Sequence, residues 1–317
     1  MIPIVSIIVA THHVEYSIRE CLKSLQQQTL QAIEVLIMNS GSSKGTALIC
    51  EEFVSEDERF SLFNAQNLTL SEARNYGMQE AAGKYIAFVD GHDFVESTMY
   101  EKLVQRAEQK HADLVLCGYT KYWPETERKK QVKVNEALLT KPNPVNYYLT
   151  KHNEAYIVPW NKLFLRSIIM GEQLYFDNHP FFEDVGFIAQ YLSFAKKIAI
   201  VNEAQYNFVQ YEDMLMKNYS PSIAHSHAQT YAQLKQFFDK RQYRNVMEGL
   251  NLRLYIHRYH HVLLTTSNSR QVKSLERQII RESKNFSQLP WNLRFMKPLV
   301  KMRVYPTFFR LVHRVKA

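Results

Sequence analysis

Ile4-Val5-Ser6-Ile7-Ile8-Val9-Ala10 is a short, almost wholly apolar run. Such a run is what a central parallel strand needs when both of its faces are covered. Ile18, Cys21, Leu22 and Leu25 then recur at i, i+3, i+4 and i+7, which predicts a helix near 16–28. Glu34–Met38 reads as a second strand, and a polar loop from Asn39 to Gly45 opens a helix at Thr46–Phe53. Phe60–Phe63, a helix over 70–82, Tyr85–Asp90, a helix over 97–109 and Asp113–Cys117 continue the alternation. Strands alternating with helices predict an open, doubly wound α/β sheet of mainly parallel strands. Sheets of this kind bind ligands at the carboxyl ends of their strands, so chemistry is expected in the loops after Met38 and Val89.

Beyond residue 120 the pattern is mixed. Lys129–Val134 alternates like a solvated edge strand, and from about 222 onward the spacing is helical, notably over Gln229–Lys240 and Val246–Leu264. A domain boundary is expected near 215–220, giving a sheet domain over 1–217 and a smaller, basic helical region over 218–317.

A hydrophobic fraction of 46% excludes a disordered or fibrous chain. Charge is unevenly placed: residues 1–200 carry 20 Lys and Arg against 24 Asp and Glu, whereas residues 201–317 carry 19 against 7. No acid follows Glu282. The asymmetry points to an anionic partner for the second part, membrane lipid or nucleic acid. From Trp291 to Ala317 seven basic residues alternate with aromatic and aliphatic ones, and Pro298 and Pro306 divide the stretch into short pieces. That composition suits an anionic membrane interface. A packed helical subdomain or a homo-oligomer contact with a basic outer face is the other reading. Nucleic acid is disfavoured because no recognisable reading module accompanies the charge. Cys21, Cys50 and Cys117 fall in apolar segments without CxxC spacing, as buried reduced thiols of a cytoplasmic protein do. Met1–Ala10 lacks a basic flank and a cleavage site, so no signal peptide is expected there, and no apolar run is long enough to span a bilayer.

Seven segments carry a resemblance. They are Val5–Val9; Arg19-Glu20-Cys21-Leu22-Lys23-Ser24-Leu25 with Gln28-Thr29; Ile33–Ile37; Ser71-Glu72-Ala73-Arg74-Asn75-Tyr76-Gly77; Ala82–Asp90; Trp160-Asn161-Lys162-Leu163-Phe164; and Phe182-Glu183-Asp184. In order and spacing they resemble the family 2 glycosyltransferases of the nucleotide-binding, Rossmann-like GT-A fold, over roughly residues 3–215. The resemblance implies a nucleotide-sugar half over about 1–118 and an acceptor half over about 119–217. It further implies an inverting enzyme of surface-polysaccharide synthesis. Such an enzyme moves a sugar from a nucleotide diphosphate, most simply UDP, to a glycan or lipid-linked acceptor at the inner face of the cytoplasmic membrane.

By the same resemblance Ala10, Asn39, Ser40, Arg74, Asp90 and Gly91 lie on the nucleotide-sugar side. Asp184 is the base for the acceptor hydroxyl, with Glu183 orienting a neighbour or the acceptor. Trp160 and Lys162, with Arg166, fall on the acceptor or diphosphate side. The family holds Mn²⁺ or Mg²⁺ with a D-x-D element, which here reads Asp90-Gly91-His92-Asp93. Three arrangements are open: His92 ligates the metal, Asp93 does so in its place, or no metal is used. Asn39-Ser40 stands where the family carries paired aspartates. Amide and hydroxyl still hydrogen-bond a base edge, with less charge assistance. These two departures keep a second reading open, an inactive homologue acting as scaffold for an active transferase. His225 and His227 are weak candidates for completing a metal site, while His257, His260 and His261 read as a solvated helix face.

Overall fold

Four apolar runs form the parallel strands β1 (Val5–Thr11), β2 (Ile33–Asn39), β3 (Phe60–Asn64) and β4 (Tyr85–Asp90). They lie in the order β3-β2-β1-β4. These coordinates come from a computed structural model, which describes residues 2–11, 14–41, 43–134, 156–178, 183–210, 244–265, 269–282 and 296–312, with scattered positions in 228–235. Every residue of β1 is buried, as expected for a strand covered on both faces. The register pairs Ala10 with Met38 on one side and Asp90 on the other, so β1, β2 and β4 end level with one another.

Helices α1 (Ile18–Gln26), α2 (Lys44–Glu56), α3 (Leu70–Glu80) and α4 (Met99–Lys110) connect these strands and follow β4. The start of α3 is fixed by a reciprocal cap. Thr69 Oγ1 accepts from the Glu72 amide at 3.3 Å, and the Thr69 amide donates to Glu72 Oε2 at 2.8 Å. A cap of this kind contributes about 1 kcal/mol and sets where Arg74 emerges. The return from α3 to β4 passes so close to β1 that only glycine fits. A Cβ on Gly83 would lie 2.7 Å from the Ser6 amide nitrogen.

Past β4 the sheet becomes mixed. Strand β8 (Lys162–Leu165) runs antiparallel between β4 and β6 (Leu114–Trp123), while β9 (Ile198–Val209) lies parallel to β6. Short β5 (Phe94–Val95) pairs antiparallel with β9, and β7 (Arg128–Val132) with β6. The mainly parallel sheet expected from the sequence is thus observed, parallel in β3-β2-β1-β4 and β6/β9 and antiparallel at β5, β7 and β8. The exposed face of β7 matches the solvated edge read from its alternation.

The chain divides into two compact units. Met1–Thr140, Val158–Asn178 and Gln190–Tyr211 make the first; Lys141–Ile157, His179–Ala189 and Glu212–Ala317 make the second. The boundary expected near 215–220 lies outside the described residues. In the second unit, helix Arg244–Thr265 packs with helices Ser269–Arg281, Met296–Lys301 and Tyr305–Val312. Their shared core holds Leu252, Ile256, Tyr259, Leu275, Ile279, Met296, Val300, Tyr305 and Phe309. The tail thus corrects the sequence reading in part. Met296, Val300, Tyr305 and Phe309, assigned above to a membrane interface, are inside a helical core, and Met302, Val304 and Phe308 remain exposed. His260 is likewise no solvated residue: its Nε2 lies 2.7 Å from Tyr305 Oη and its ring stacks on Phe309. Among the described residues no helix is long and apolar enough to cross a membrane. All three cysteines are free and buried.

Candidate active site

The level ends of β1, β2 and β4 bring Ala10, Asn39 and Asp90 to one edge of the sheet. Asp90 closes β4, and a tight turn follows in which the Asp93 amide donates to the Asp90 carbonyl at 2.9 Å. Gly91 sits at the point of closest approach, where a Cβ would stand 3.2 Å from Val14 and 3.3 Å from Ile18. Its carbonyl accepts from Ser17 Oγ at 3.2 Å. The turn is thereby pressed against the start of α1.

Asp90 and Asp93 meet different surroundings. Arg74 Nη2 lies 2.8 Å from Asp90 Oδ1, and the arginine is 2% exposed, with its guanidinium 5.2 Å above the Phe176 ring. Asp90 is therefore matched by a buried cation. Asp93 is 1% exposed and held by hydrogen bonds: Tyr206 Oη donates to Oδ2 at 2.6 Å and the Val209 amide donates to Oδ1 at 2.8 Å. Burial pushes the Asp93 carboxyl from an ordinary 3.8 up to about 7. The charge of Asp90 adds to this, while His92 and the bonds from Tyr206 and Val209 hold it down. Tyr206 also accepts from the Asp90 amide at 3.3 Å, so one phenol ties both acids together. Its ring stacks on Trp160 at 4.3 Å, and Trp160 stacks in turn on Phe208 at 5.2 Å.

His92 is partly exposed, with Nε2 3.6 Å from Asp93 Oδ1. Ligand atoms of Asp90, His92 and Asp93 all lie within 4.8 Å of one another, a grouping able to coordinate a metal ion. The donor set fits one. Asp90 Oδ2 has no hydrogen-bond partner among the described residues, and an ionised carboxylate offers about four lone-pair positions. Two carboxylates with an imidazole suit Mn²⁺ better than Mg²⁺, which favours oxygen ligands.

The remaining sequence candidates have differing surroundings. Ser40 is buried, and its hydroxyl and amide both donate to the Thr11 carbonyl, at 2.7 and 3.2 Å. It stitches the loop after β2 to the end of β1. Asn39 is half-buried, its carbonyl bound by the Ala65 amide at 3.0 Å. Gly41 takes a φ of +82°, and Ser43 Oγ caps α2 through the Thr46 amide. Trp160 is a buried platform beneath Tyr206. Lys162 is fully buried, with Nζ donating to the Val158 carbonyl at 2.6 Å and Asn161 Oδ1 at 2.8 Å. Glu183 and Asp184 occupy the first turn of helix Glu183–Phe194, both half-buried, in the second unit. His225 and His227 lie outside the described residues. Sequence reasoning missed Tyr206, Phe176 and Val209. The only sequence signal for Tyr206 was the aromatic alternation of Tyr206-Asn207-Phe208.

A model of glycosyl transferase family 2 matches residues 6–171, more than half of the chain. The chain belongs to glycosyl transferase family 2. It is 34% identical over 230 residues to the uncharacterized glycosyltransferase EpsJ of Bacillus subtilis, covering 70% of this chain and 66% of that one. To the putative glycosyltransferase EpsH of the same organism it is 31% identical, covering 71% and 66%. The match thus spans slightly less than two thirds of these relatives. Among solved structures, S. aureus TarS 1-349 in complex with UDP-GlcNAc has a similar fold, with a TM-score of 0.69 at 18% identity, over 98% of this chain and 91% of that one.

Proposed function

We propose that this protein transfers a sugar from a UDP-sugar to a glycan or lipid-linked acceptor, with inversion at the anomeric carbon, in the synthesis of a surface polysaccharide. The observation that carries this reading is the Asp90-Gly91-His92-Asp93 turn at the level ends of β1, β2 and β4, in a chain of family 2. The likeness to a fold solved with UDP-GlcNAc supports the choice of UDP. In this reading Ala10, Asn39 and Ser40 border the nucleotide, and Arg74 holds and aims the Asp90 side chain. Asp90, His92 and Asp93 would hold a divalent cation, which would supply Lewis-acid neutralisation of the leaving diphosphate. Asp184 takes the proton of the acceptor hydroxyl as that oxygen bonds to the anomeric carbon. The bond from carbon to the diphosphate oxygen breaks, and its electron pair leaves with the UDP. Glu183 hydrogen-bonds the acceptor.

The exposed Lys301, Arg303, Met302, Val304 and Phe308 form the basic and apolar surface that would hold the enzyme at the inner face of the cytoplasmic membrane. The test is calorimetric titration with UDP, GDP, CDP and dTDP, each with Mn²⁺ and with EDTA, followed by turnover of radiolabelled UDP-sugars. UDP binding that depends on Mn²⁺, with turnover that falls about 10²- to 10⁴-fold in Asp184→Asn while UDP affinity holds, is the expected result. No nucleotide binding by folded protein would overturn the proposal in favour of an inactive scaffold.

A further inference from the structure

Lys273, Glu276, Arg277 and Ile280 fall at i, i+3, i+4 and i+7 of helix Ser269–Arg281, so they share one face. With Arg303 they line a pocket of about 280 Å³ in the second unit. Glu276 forms part of its wall, 6% exposed, where Oε1 accepts from Tyr259 Oη at 2.8 Å. Tyr259 is fully buried and stacks on Tyr305 at 5.7 Å between centroids, two residues beyond Arg303. These contacts hold the helix face and the Arg303 turn in a fixed relation.

Arg303 itself is in an unusual conformation. It ends helix Met296–Lys301 with a φ of +60°, its amide donating to the Val300 carbonyl at 3.0 Å and the Val304 amide to that of Leu299 at 3.0 Å. Left-handed helix ends of this type ordinarily carry glycine, and a side chain there adds strain. The guanidinium is exposed at the pocket. The side chains of Lys273, Arg277 and Arg303 make no hydrogen bond or ion pair with a described residue.

Three cations facing one carboxylate leave an excess of two positive charges around the pocket. A phosphomonoester carries about −1.5 to −2 at neutral pH and three strong acceptor oxygens. Arginine forks bind such oxygens in pairs, and lysine adds a compact charge. The volume is just below the usual small-ligand range of roughly 300–1,000 Å³, which suits a phosphate-bearing head group or a sugar phosphate. We propose that this pocket binds a phosphomonoester group. The site shares no residue with the donor site and does not depend on the transfer reading.

The test uses the full chain at low salt, titrated calorimetrically with inorganic phosphate. A parallel flotation assay uses phosphatidylcholine vesicles with and without phosphatidic acid. Two variants remove the cations: Lys273→Gln with Arg277→Gln, and Arg303→Gly, which keeps a residue suited to positive φ. Lys110→Gln, an exposed cation of α4, is the control. The expected result is phosphate binding weakened roughly tenfold or more in both variants, unchanged in the control, and reduced by added salt. UDP titration serves as an independent check and holds in both variants. Loss of phosphatidic acid binding in the variants assigns the pocket to a lipid head group; phosphate binding without vesicle binding assigns it to a soluble phosphate ester. No phosphate binding by the parent protein overturns the proposal. So do equal phosphate affinities in parent and variants.

Discussion

Replacing Tyr206 by Phe removes one oxygen atom from the centre of the site, and its consequence depends on pH in a way that can be worked out in advance. The hydroxyl donates to Asp93 Oδ2 at 2.6 Å and accepts from the Asp90 amide at 3.3 Å, in fully buried surroundings. A hydrogen bond to an ionised group contributes about 1.5–3 kcal/mol and a neutral one about 0.5–1.5 kcal/mol. Asp93 titrates near 7 in the fold because burial raises it from 3.8, and the Tyr206 bond is among the interactions that hold it down. Its folded pKa stands above its unfolded value, so its contribution to stability is full below the unfolded value and is lost as pH rises through about 7. Without the phenol that loss extends to higher pH.

At about pH 5.5 Asp93 is mostly protonated, and the variant loses two neutral hydrogen bonds, roughly 1–3 kcal/mol together. At about pH 8.5 it is ionised, and the loss grows to roughly 2–4 kcal/mol, which a domain of this size reads as a Tm lower by about 5–12 °C. Thermal unfolding in EDTA, followed by calorimetry at both pH values, measures the difference. Equal Tm losses at the two values, or a larger loss in acid, would refute the assignment of Tyr206 as the support of an ionised Asp93.

Three further outcomes follow from the same geometry. His92→Asp replaces imidazole by oxygen and should raise Mg²⁺ affinity about tenfold relative to Mn²⁺; an unchanged preference in calorimetry would remove His92 from the ligand set. Arg74→Gln leaves the mostly buried Asp90 without its cation and should cost about 3 kcal/mol in denaturant unfolding; a loss near zero would mean that the pair is not formed. Gly83→Ala drives a Cβ to 2.7 Å from a backbone nitrogen of β1, and a loss of about 1–3 kcal/mol is expected; stability equal to the parent would contradict the close approach.

The first half of the fold was legible because buried parallel strands write themselves as continuous apolar runs. Val5–Val9, Val35–Met38 and Ile86–Val89 needed no partner to be recognised. Strand β9 was not, since Gln205 and Asn207 lie buried in it. Their amides are met by groups about a hundred residues away, Thr98 and Glu96. The same limit applied at the site. The turn from Asp90 to Asp93 stood out as a motif, but nothing near it in sequence announces Tyr206. Arg74 was read as a nucleotide or diphosphate contact because its segment was well matched, yet its pairing with Asp90 depends on how α3 lies beside β4. Lys162 and His260 were placed by their neighbours in the chain, whereas carbonyls of the same segment and a ring 45 residues on decide where they point.

These long-range contacts also divide the labour between the two acids. Asp90 has a buried guanidinium at 2.8 Å, so its charge is balanced inside the protein. Asp93 has a phenol, an amide and an imidazole 3.6 Å away, which orient the carboxylate without matching its charge. The elevation to about 7 measures that imbalance, on the order of 4 kcal/mol against the ionised form. A rigid carboxylate short of positive charge gains more from a nearby cation than a paired one does, because the cation removes a penalty already present in the fold. His92 stands on the exposed side of Asp93 and completes the turn as a third donor. In the proposed reading, the departure from D-x-D would move the weight of cation binding from the second position of the motif to the buried acid after it. Trp160 and Tyr206 are then the residues that keep that acid in place.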